Sequence, residues 1–195
     1  TALEAQRVLN DGKPLSSTTI DLAPIKELGL LTAKPFIYVF NVDEDVLGDD
    51  AKRKELEALV APAKAVLLDA KLESELIDLD AADAAELLAS TGQDESGLDQ
   101  LARIGFDTLG LQTYLTAGPK EARAWTFPDG AKAPQAAGEI HSDFERGFIR
   151  AETIAYDDYV TLGGEAGAKE AGKLRQEGKE YVVQDGDVLL FKFNV

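Results

Sequence analysis

The sequence predicts an α/β half followed by an α+β half. Before Gly110, two short apolar runs alternate with segments of helical periodicity, which is the pattern of parallel strands covered by helices. After Gly110 the order becomes strand pair, helix, strand and strand pair, which is typical of the α+β class. We therefore expect a boundary between two halves near Gly105–Gly110.

The elements of the first half are bounded by residues that end helices or strands. The run Pro35–Phe40 is continuous and apolar, so we expect a strand buried on both faces. Two strands cannot complete a doubly wound sheet, so we expect the missing strands upstream of Thr1. The predicted strands are Pro35–Phe40 and Lys64–Leu68, and the predicted helices are Thr1–Asn10, Ala23–Leu31, Asp50–Val60 (with Leu56, Leu59 and Val60 on one face) and Ala81–Ser90.

The second half has the order of a β-grasp unit. Gly118-Pro119 is a hairpin turn between the first two strands, and Asp185-Gly186 separates the last two. We expect Leu189, Phe191 and Phe193 to lie on one face. The predicted strands are Gln112–Ala117, Glu121–Phe127, Ile149–Tyr156, Glu180–Val183 and Val188–Phe193, with a helix at Pro134–Phe148 and a broken helical stretch at Asp157–Gln176.

Composition and charge restrict the classes of function. The chain has no cysteine and no apolar run long enough to cross a bilayer, so we expect a soluble, cytoplasmic protein with no membrane partner. We also expect a monomer. It also lacks methionine and begins at Thr1, which favours a C-terminal piece of a longer protein. The net charge is −16, divided as −12 in residues 1–110 and −4 in 111–195. Because an acidic chain repels phosphates, we expect no high-affinity, non-specific DNA binding. We also expect no specific DNA partner.

Few residue patterns in the chain indicate chemistry. The string G-x-x-x-x-G-K-[ST], which cradles nucleotide phosphates, does not occur, so we expect no nucleotide bound to this chain alone. Asn41-Val42-Asp43-Glu44 follows the first strand, where α/β sheets place ligand contacts, although such residues are also ordinary in turns. An EF-hand starting at Asp43 fails because Lys54 replaces the final Glu, and we favour a solvated helix N-terminus.

The lone histidine and the paired acids are better explained structurally. His141, Ser142 and Asp143 are adjacent, and neighbours on a helix point about 100° apart, so they cannot form a catalytic triad. Asp157-Asp158 and Asp185/Asp187 lie at a helix start and a turn, where aspartate serves the backbone. We predict no catalytic residue and no metal ligand.

Several strings together carry a family resemblance. In the first half they are Leu28–Pro35 and Asn41–Glu44, and in the second half Thr116–Pro119, Arg123–Trp125, Lys132–Gly138, Ile140–Ile149, Val183–Asp187 and Phe191–Asn194. The chain closely resembles the Obg-like ATPase family, also called YchF, a branch of the P-loop NTPases. The resemblance covers essentially the whole chain.

The resemblance implies roles for particular residues. Asn41 and Glu44 look like the family's N-x-x-E base-recognition motif, with Val42 where ordinary GTPases have a lysine over the base. Asp69-Ala70-Lys71 aligns with the second base-contacting loop, although Ser or Cys normally precedes the alanine. The intact parent would bind ATP or GTP with Mg²⁺. Residues 1–22 would be the stub of a helical coiled-coil insertion, 23–110 part of a P-loop domain, and 111–195 a TGS domain, a β-grasp module that binds RNA or protein.

Basic residues of the second half are candidates for contact with the ribosome or RNA. The densest group has four bases against two acids: Lys169, Lys173, Arg175 and Lys179. Further candidates are Lys120, Arg123, Lys132, Arg146 and Arg150. For each single residue, a solvated charge is an equally good interpretation.

Two functional hypotheses follow from these observations. The first is the C-terminal portion of a ribosome-associated ATP/GTP-binding P-loop NTPase linked to translation. The alternative is a stand-alone β-grasp protein-interaction module with no nucleotide role. The presence or absence of an upstream G-x-x-x-x-G-K-[ST] string distinguishes them.

Overall fold

The computed structural model describes residues 1–118 and 121–194. Contacts within the chain separate a first unit, Thr1–Leu109, from a second unit, Gly110–Val195. No helix in the described part of the chain is long and apolar enough to cross a membrane. The chain is therefore a mixed α/β protein with two units.

The first unit contains a two-stranded parallel sheet. Strand β1 is Ile37–Asn41 and strand β2 is Lys64–Leu68, which confirms both predicted strands. The prediction that β1 is buried on both faces is wrong for this chain, since Tyr38 and Val39 are 45% and 46% exposed. In the described residues β1 hydrogen-bonds one neighbouring strand only, so much of its surface is uncovered.

Helices follow each strand of the first unit. Those predicted at Thr1–Asn10, Asp50–Val60 and Ala81–Ser90 are confirmed, although Leu59 is exposed rather than on a buried face. The helix predicted at Ala23–Leu31 is instead two 3₁₀ turns, Ala23–Leu28 and Leu31–Ala33. Gly29, at φ +58°, ends the first turn. The α-helices are α1 Ala2–Asn10, α2 Glu44–Leu47, α3 Asp50–Val60, α4 Ala70–Leu76, α5 Ala81–Ser90 and α6 Gly97–Leu109, and a further 3₁₀ turn spans Leu15–Ser17.

The second unit is built on a five-stranded sheet in the order β4-β3-β7-β5-β6. Strands β3 and β7 are parallel and the other neighbours are antiparallel. The strands are β3 Leu111–Ala117, β4 Ala122–Pro128, β5 Phe148–Ala155, β6 Arg175–Glu177 and β7 Asp187–Phe193. The helices are α7 Ala133–Ile140, α8 Ser142–Arg146, α9 Tyr156–Thr161 and α10 Glu165–Glu170.

Three predicted elements of the second unit need correction. The helix predicted at Pro134–Phe148 breaks at His141, whose extended backbone separates α7 from α8. Glu180–Val183 is not a strand, because only Val182 forms a bridge, to Lys132, and β7 pairs with β3 and β5 instead. The broken helical stretch is confirmed as α9 and α10, but its end forms β6. The first hairpin is confirmed, while Pro119 of its predicted turn lies outside the described residues.

The core of the second unit is aromatic. Tyr114 is fully buried, and its hydroxyl donates a hydrogen bond to the Ala136 carbonyl at 2.9 Å, which ties β3 to α7. The Phe191 ring packs edge-on against Tyr114 at 5.7 Å. Leu189, Phe191 and Phe193 alternate along β7 and therefore share one face, as predicted. Leu189 and Phe191 are buried, while Phe193 is partly exposed and stacks on Phe144 at 3.8 Å.

Candidate functional site

Two loops meet where the parallel strands of the first unit end. Asn41 is the last residue of β1 and lies opposite Leu68, the last residue of β2. The Asn41 Oδ1 atom accepts a hydrogen bond from the Ala70 backbone N–H at 3.0 Å. Residues 29 positions apart are thereby joined at the edge of an α/β sheet where ligand contacts concentrate.

The second loop is held by the side chain of Asp69. Its Oδ1 atom accepts hydrogen bonds from the backbone N–H groups of Lys71 at 2.8 Å and Leu72 at 3.4 Å, and so caps helix α4. Ala70 and Lys71 are exposed beside Asn41, and the Lys71 ammonium lies 3.7 Å from Glu75. Helix capping therefore accounts for an aspartate at position 69.

The first loop divides its side chains between the core and solvent. The Val42 backbone N–H donates to the Leu68 carbonyl at 2.9 Å, and its side chain packs against the cluster of Leu47, Leu67 and Leu72. Glu44 begins α2 and is exposed. An amide, a carboxylate and a backbone loop thus lie at one edge, which suits hydrogen bonding to a planar polar ligand.

A buried carboxylate that sequence reasoning missed supports these loops. Glu73 of α4 is 8% exposed and accepts hydrogen bonds from the backbone N–H groups of Gly97 at 2.6 Å and Leu98 at 3.3 Å. The carboxylate therefore caps α6 from a distant part of the chain. Such a cap cannot be predicted from local sequence, because the two N–H groups that it binds lie 24 and 25 residues from Glu73.

The acidic stretch after β1 serves helix ends. Asp49 accepts hydrogen bonds from the backbone N–H groups of Ala51 at 3.0 Å and Lys52 at 3.2 Å, and the bond from Lys52 is the main cause of its lowered pKa. Throughout residues 1–118 and 121–194, no group of three potential metal ligands converges. The helix-start interpretation of this stretch is thus confirmed at Asp49.

A cavity of about 650 Å³ lies at the opposite ends of the same strands. Its lining includes Phe36, Tyr38 and Lys64, which lie near the beginning of β1 and β2, and Leu59, which lies near the end of α3. It is therefore separate from the loops at Asn41 and Ala70.

The basic group of the second unit, here called the basic crossover (Lys169, Lys173, Arg175 and Lys179), is exposed but not uniform. Lys173 lies 3.3 Å from Asp158. The Arg175 guanidinium donates to the Tyr181 hydroxyl at 3.1 Å and to the Asp187 carboxylate at 3.3 Å. Lys169 lies on α10, and Lys179 follows β6. Arg175 therefore supports the fold through these hydrogen bonds, which distinguishes it from the three lysines of the group.

The remaining basic candidates mostly have carboxylate partners. Lys132 pairs with Glu180 at 2.5 Å, Arg146 pairs with Asp143, and Arg150 lies 3.6 Å from Glu152. Arg123 lies 4.0 Å over the Trp125 ring. Lys120 lies outside the described residues.

His141 has the structural role that the sequence favoured. Its Nδ1 atom accepts a hydrogen bond from the Asp143 backbone N–H at 3.1 Å, which caps α8. The imidazole is exposed on the surface, with Asp143 as its neighbour. A catalytic triad is therefore not formed by His141, Ser142 and Asp143.

Comparison with known proteins identifies relatives of both units. The family model YchF-GTPase_C, described as a protein of unknown function (DUF933), matches residues 111–194. The chain is 54% identical to the ribosome-binding ATPase YchF of Bacillus subtilis over 176 residues, which are 88% of this chain and 48% of that protein. It is 48% identical to the ribosome-binding ATPase YchF of Pasteurella multocida over 193 residues, 96% of this chain and 53% of that protein.

A solved structure agrees with these relatives. The YchF GTPase of Schizosaccharomyces pombe superposes with a TM-score of 0.80 at 31% identity, covering 98% of this chain and 53% of that one. The chain spans about half the length of the relatives it matches. It belongs to the YchF/Obg-like ATPase family and corresponds to the C-terminal region of that family.

Proposed function

We propose that the chain supplies the base-recognition edge of a P-loop NTPase that binds ATP or GTP with Mg²⁺, together with a TGS-type β-grasp unit for ribosome or RNA contact. The hydrogen bond from Ala70 to Asn41 carries the first part, because it joins two loops at the ligand-binding edge of a parallel sheet. The names of the relatives, ribosome-binding ATPases, support the second part. A ribosome partner places the protein in the cytoplasm.

Base recognition by this edge follows from its hydrogen-bonding groups. Asn41 accepts from the second loop through Oδ1, which leaves its amide nitrogen as a donor to a base. Glu44 is one methylene longer than aspartate, so its carboxylate fits the two guanine N–H donors less well. Val42 packs inward, where a lysine would extend over the base. Discrimination in favour of guanine is therefore weak.

Phosphate chemistry comes from residues outside this chain. P-loop enzymes transfer phosphoryl groups by positioning and electrostatic stabilisation, with Mg²⁺ bridging the phosphates. In the intact protein, residues 23–110 orient the base, and an upstream phosphate loop completes the site. Residues 1–22 belong to a helical insertion of the same domain.

The role of the loop Asn41–Glu44 in base recognition is tested in the full-length protein by the double substitution Val42→Lys and Glu44→Asp. We expect the ratio of ATP to GTP affinity to shift toward GTP, because the changes restore the guanine-binding pattern. Glu44→Asp alone should move the ratio in the same direction and avoids placing a lysine against the core. Glu57→Asp, an equivalent change at an exposed position of α3, is the control. Unchanged ratios in both variants, measured by calorimetry, would show that the loop does not read the base.

Contact with ribosomal RNA is assigned to the lysines of the basic crossover. Lys169, Lys173 and Lys179 are exposed in a unit of net charge −4, whereas residues 1–110 carry −12. Local attraction to phosphates is therefore stronger on the second unit than on the first. Arg175 contributes to the same basic surface but is also held by Asp187.

Ribosome co-sedimentation tests this contact. Replacing the three lysines by glutamine in the full-length protein should weaken binding and reduce its salt dependence by roughly one unit of slope per lost phosphate contact. The matched control replaces three exposed lysines of the first unit, Lys26, Lys52 and Lys54. Equal salt slopes for the two triple variants would move the contact to another surface. Circular dichroism verifies that each variant is folded.

A further inference from the structure

The two edges of the second unit's sheet are protected very differently. At one edge, β6 has three residues, and two of them, Arg175 and Glu177, are charged. At the other edge, β4 runs for seven residues from Ala122 to Pro128. Short length, charges, bulges and prolines are the devices that prevent a sheet edge from pairing with another chain. Strand β4 has one charged residue, Arg123, and its one proline, Pro128, stands at the very end of the strand.

Hydrogen bonds at both ends of the hairpin define which groups of β4 face the free edge. The Gly118 N–H donates to the Glu121 carbonyl at 2.9 Å, and the Asp129 N–H donates to the Gly110 carbonyl at 2.8 Å. The register between these bonds is continuous, so hydrogen-bonded and non-hydrogen-bonded pairs alternate without interruption. Residues Arg123, Trp125 and Phe127 therefore bond to β3.

The intervening residues of β4 direct their backbone groups outward. Ala122, Ala124 and Thr126 present their N–H and C=O groups to the free edge, and all three residues are exposed. The hydrogen bonds of β3 support this assignment. Thr113 of β3 lies opposite Thr126. Its backbone N–H points away from β4 and donates a hydrogen bond to the Asp185 carboxylate at 2.7 Å. Small side chains at these three positions leave the ladder open to another strand.

We propose that β4 takes up an extended segment of a partner protein as a sixth strand, with an acidic side chain beside Arg123 and an apolar side chain beside Trp125. Arg123 and Trp125 share one face, where the guanidinium lies 4.0 Å over the indole ring. Backbone hydrogen bonds to the three outward residues supply affinity, and alternate side chains supply specificity. A carboxylate complements the only charge of the strand. This surface follows from the sheet topology and does not depend on nucleotide or RNA binding.

A designed peptide tests this proposal on the chain. The probe is the blocked peptide Thr-Val-Thr-Asp-Thr-Val-Thr, in which Val and Asp share one face, and its counterpart has Lys in place of Asp. Trp125 is the only tryptophan of the chain, so its fluorescence reports binding at the strand itself. We expect a saturable fluorescence change and slower amide exchange at Ala122, Ala124 and Thr126. Exchange at the β6 edge should not change.

Charge reversal tests the acidic side chain. The acidic peptide should bind about twofold to fivefold more tightly than the basic one, as for an exposed ion pair. Arg123→Glu should reverse this preference, whereas Arg150→Glu, which changes the net charge equally on β5, should leave it unchanged. An unchanged preference in Arg123→Glu would overturn the assignment of an acidic segment.

Blocking the backbone ladder tests strand addition. Ala124→Pro removes a donor that faces the edge and spares the bonds to β3, so it should abolish peptide binding in a folded chain. A probe methylated on its β4-facing nitrogens makes the same test with the unaltered protein, and should also fail to bind. Saturable binding of the methylated probe, or no response to the unmethylated probe, would overturn the proposal. Edge protection without peptide, rising with chain concentration alongside a dimeric mass, would overturn it in favour of a second copy.

Discussion

Asp187 shows how one buried side chain organises the C-terminal part of the second unit. It is 3% exposed and accepts hydrogen bonds from the Tyr181 hydroxyl at 2.6 Å, the Gln184 backbone N–H at 3.0 Å and the Arg175 guanidinium at 3.3 Å. A buried carboxylate is tolerated only when it is paired and hydrogen-bonded. The three partners meet this requirement and hold the segment between β6 and β7.

Asp187→Ala is expected to destabilise the chain by about 2–3 kcal/mol, because it leaves buried donors without their charged acceptor. Urea unfolding gives the free energy. Asp157→Ala, at an exposed aspartate in the first turn of α9, should cost less than about 0.5 kcal/mol. A loss at position 187 as small as that at position 157 would refute the role of the carboxylate.

Tyr181 links the same cluster to alkaline pH. The pKa of its phenol is raised from 10.0 to about 12, first by burial and second by the hydrogen bond to Asp187. Because the folded chain holds this proton more tightly than the unfolded chain, the stabilisation is complete below pH 10 and is lost as pH rises from 10 to about 12.

Tyr181→Phe removes this titrating group. Its free energy of unfolding should fall less steeply across the same pH window than that of the unaltered chain. The comparison uses slopes against pH, because loss of the hydroxyl also removes a hydrogen bond at every pH. Tyr114, whose pKa burial also raises, is present in both proteins and does not affect the difference. Equal slopes would contradict the raised pKa of Tyr181.

At the scale of elements, helix α6 is placed by a close approach to β2. A Cβ atom on Gly97 would lie 2.4 Å from the Leu68 Cβ and 3.0 Å from the Glu73 carboxylate. Leu68 directly precedes Asp69 of the second loop. The glycine therefore permits α6 to begin against the strand that carries the loop.

Two glycines of α6 form a matched pair of substitutions. Gly97→Ala should destabilise the chain by about 1–3 kcal/mol, because the backbone must shift to relieve the overlap. Gly105→Ala, in the middle of the same helix, meets nothing within 4 Å and should stabilise it by roughly 0.5–1 kcal/mol. Thermal unfolding measures both. Similar shifts of the same sign would contradict the close packing at Gly97.

At the scale of the whole molecule, the acidic charge and the missing phosphate-binding string restrict what the chain does alone. The isolated chain should hydrolyse neither ATP nor GTP above background, because it lacks the phosphate cradle that positions the reacting group. A phosphate-release assay measures this, with an active P-loop ATPase as the positive control. Hydrolysis that scales with the concentration of the purified chain would contradict the prediction.

Local sequence signals predicted those elements whose causes are local. Helices α3 and α5 are capped by Asp49 and Asp80, whose carboxylates accept hydrogen bonds from backbone N–H groups two and three residues later. Strand β2 followed from a run of apolar residues, and the face of β7 followed from apolar residues at every second position. The family resemblance, which the comparison with known proteins confirms, was also a local signal, because it depended on strings of residues that are adjacent in sequence.

Tertiary structure decided the features whose partners are distant in sequence. Glu73 caps α6 from 24 residues away, and Asn41 reaches Ala70 across 29 residues. In the sequence, Arg175 is indistinguishable from the three lysines of the basic crossover. In the structure, its guanidinium lies against Asp187. Val182 follows strand-like residues but forms only a bridge to Lys132, because β3 and β5 already occupy both edges of β7. Such outcomes depend on which groups the folded chain brings together, and no local pattern records them.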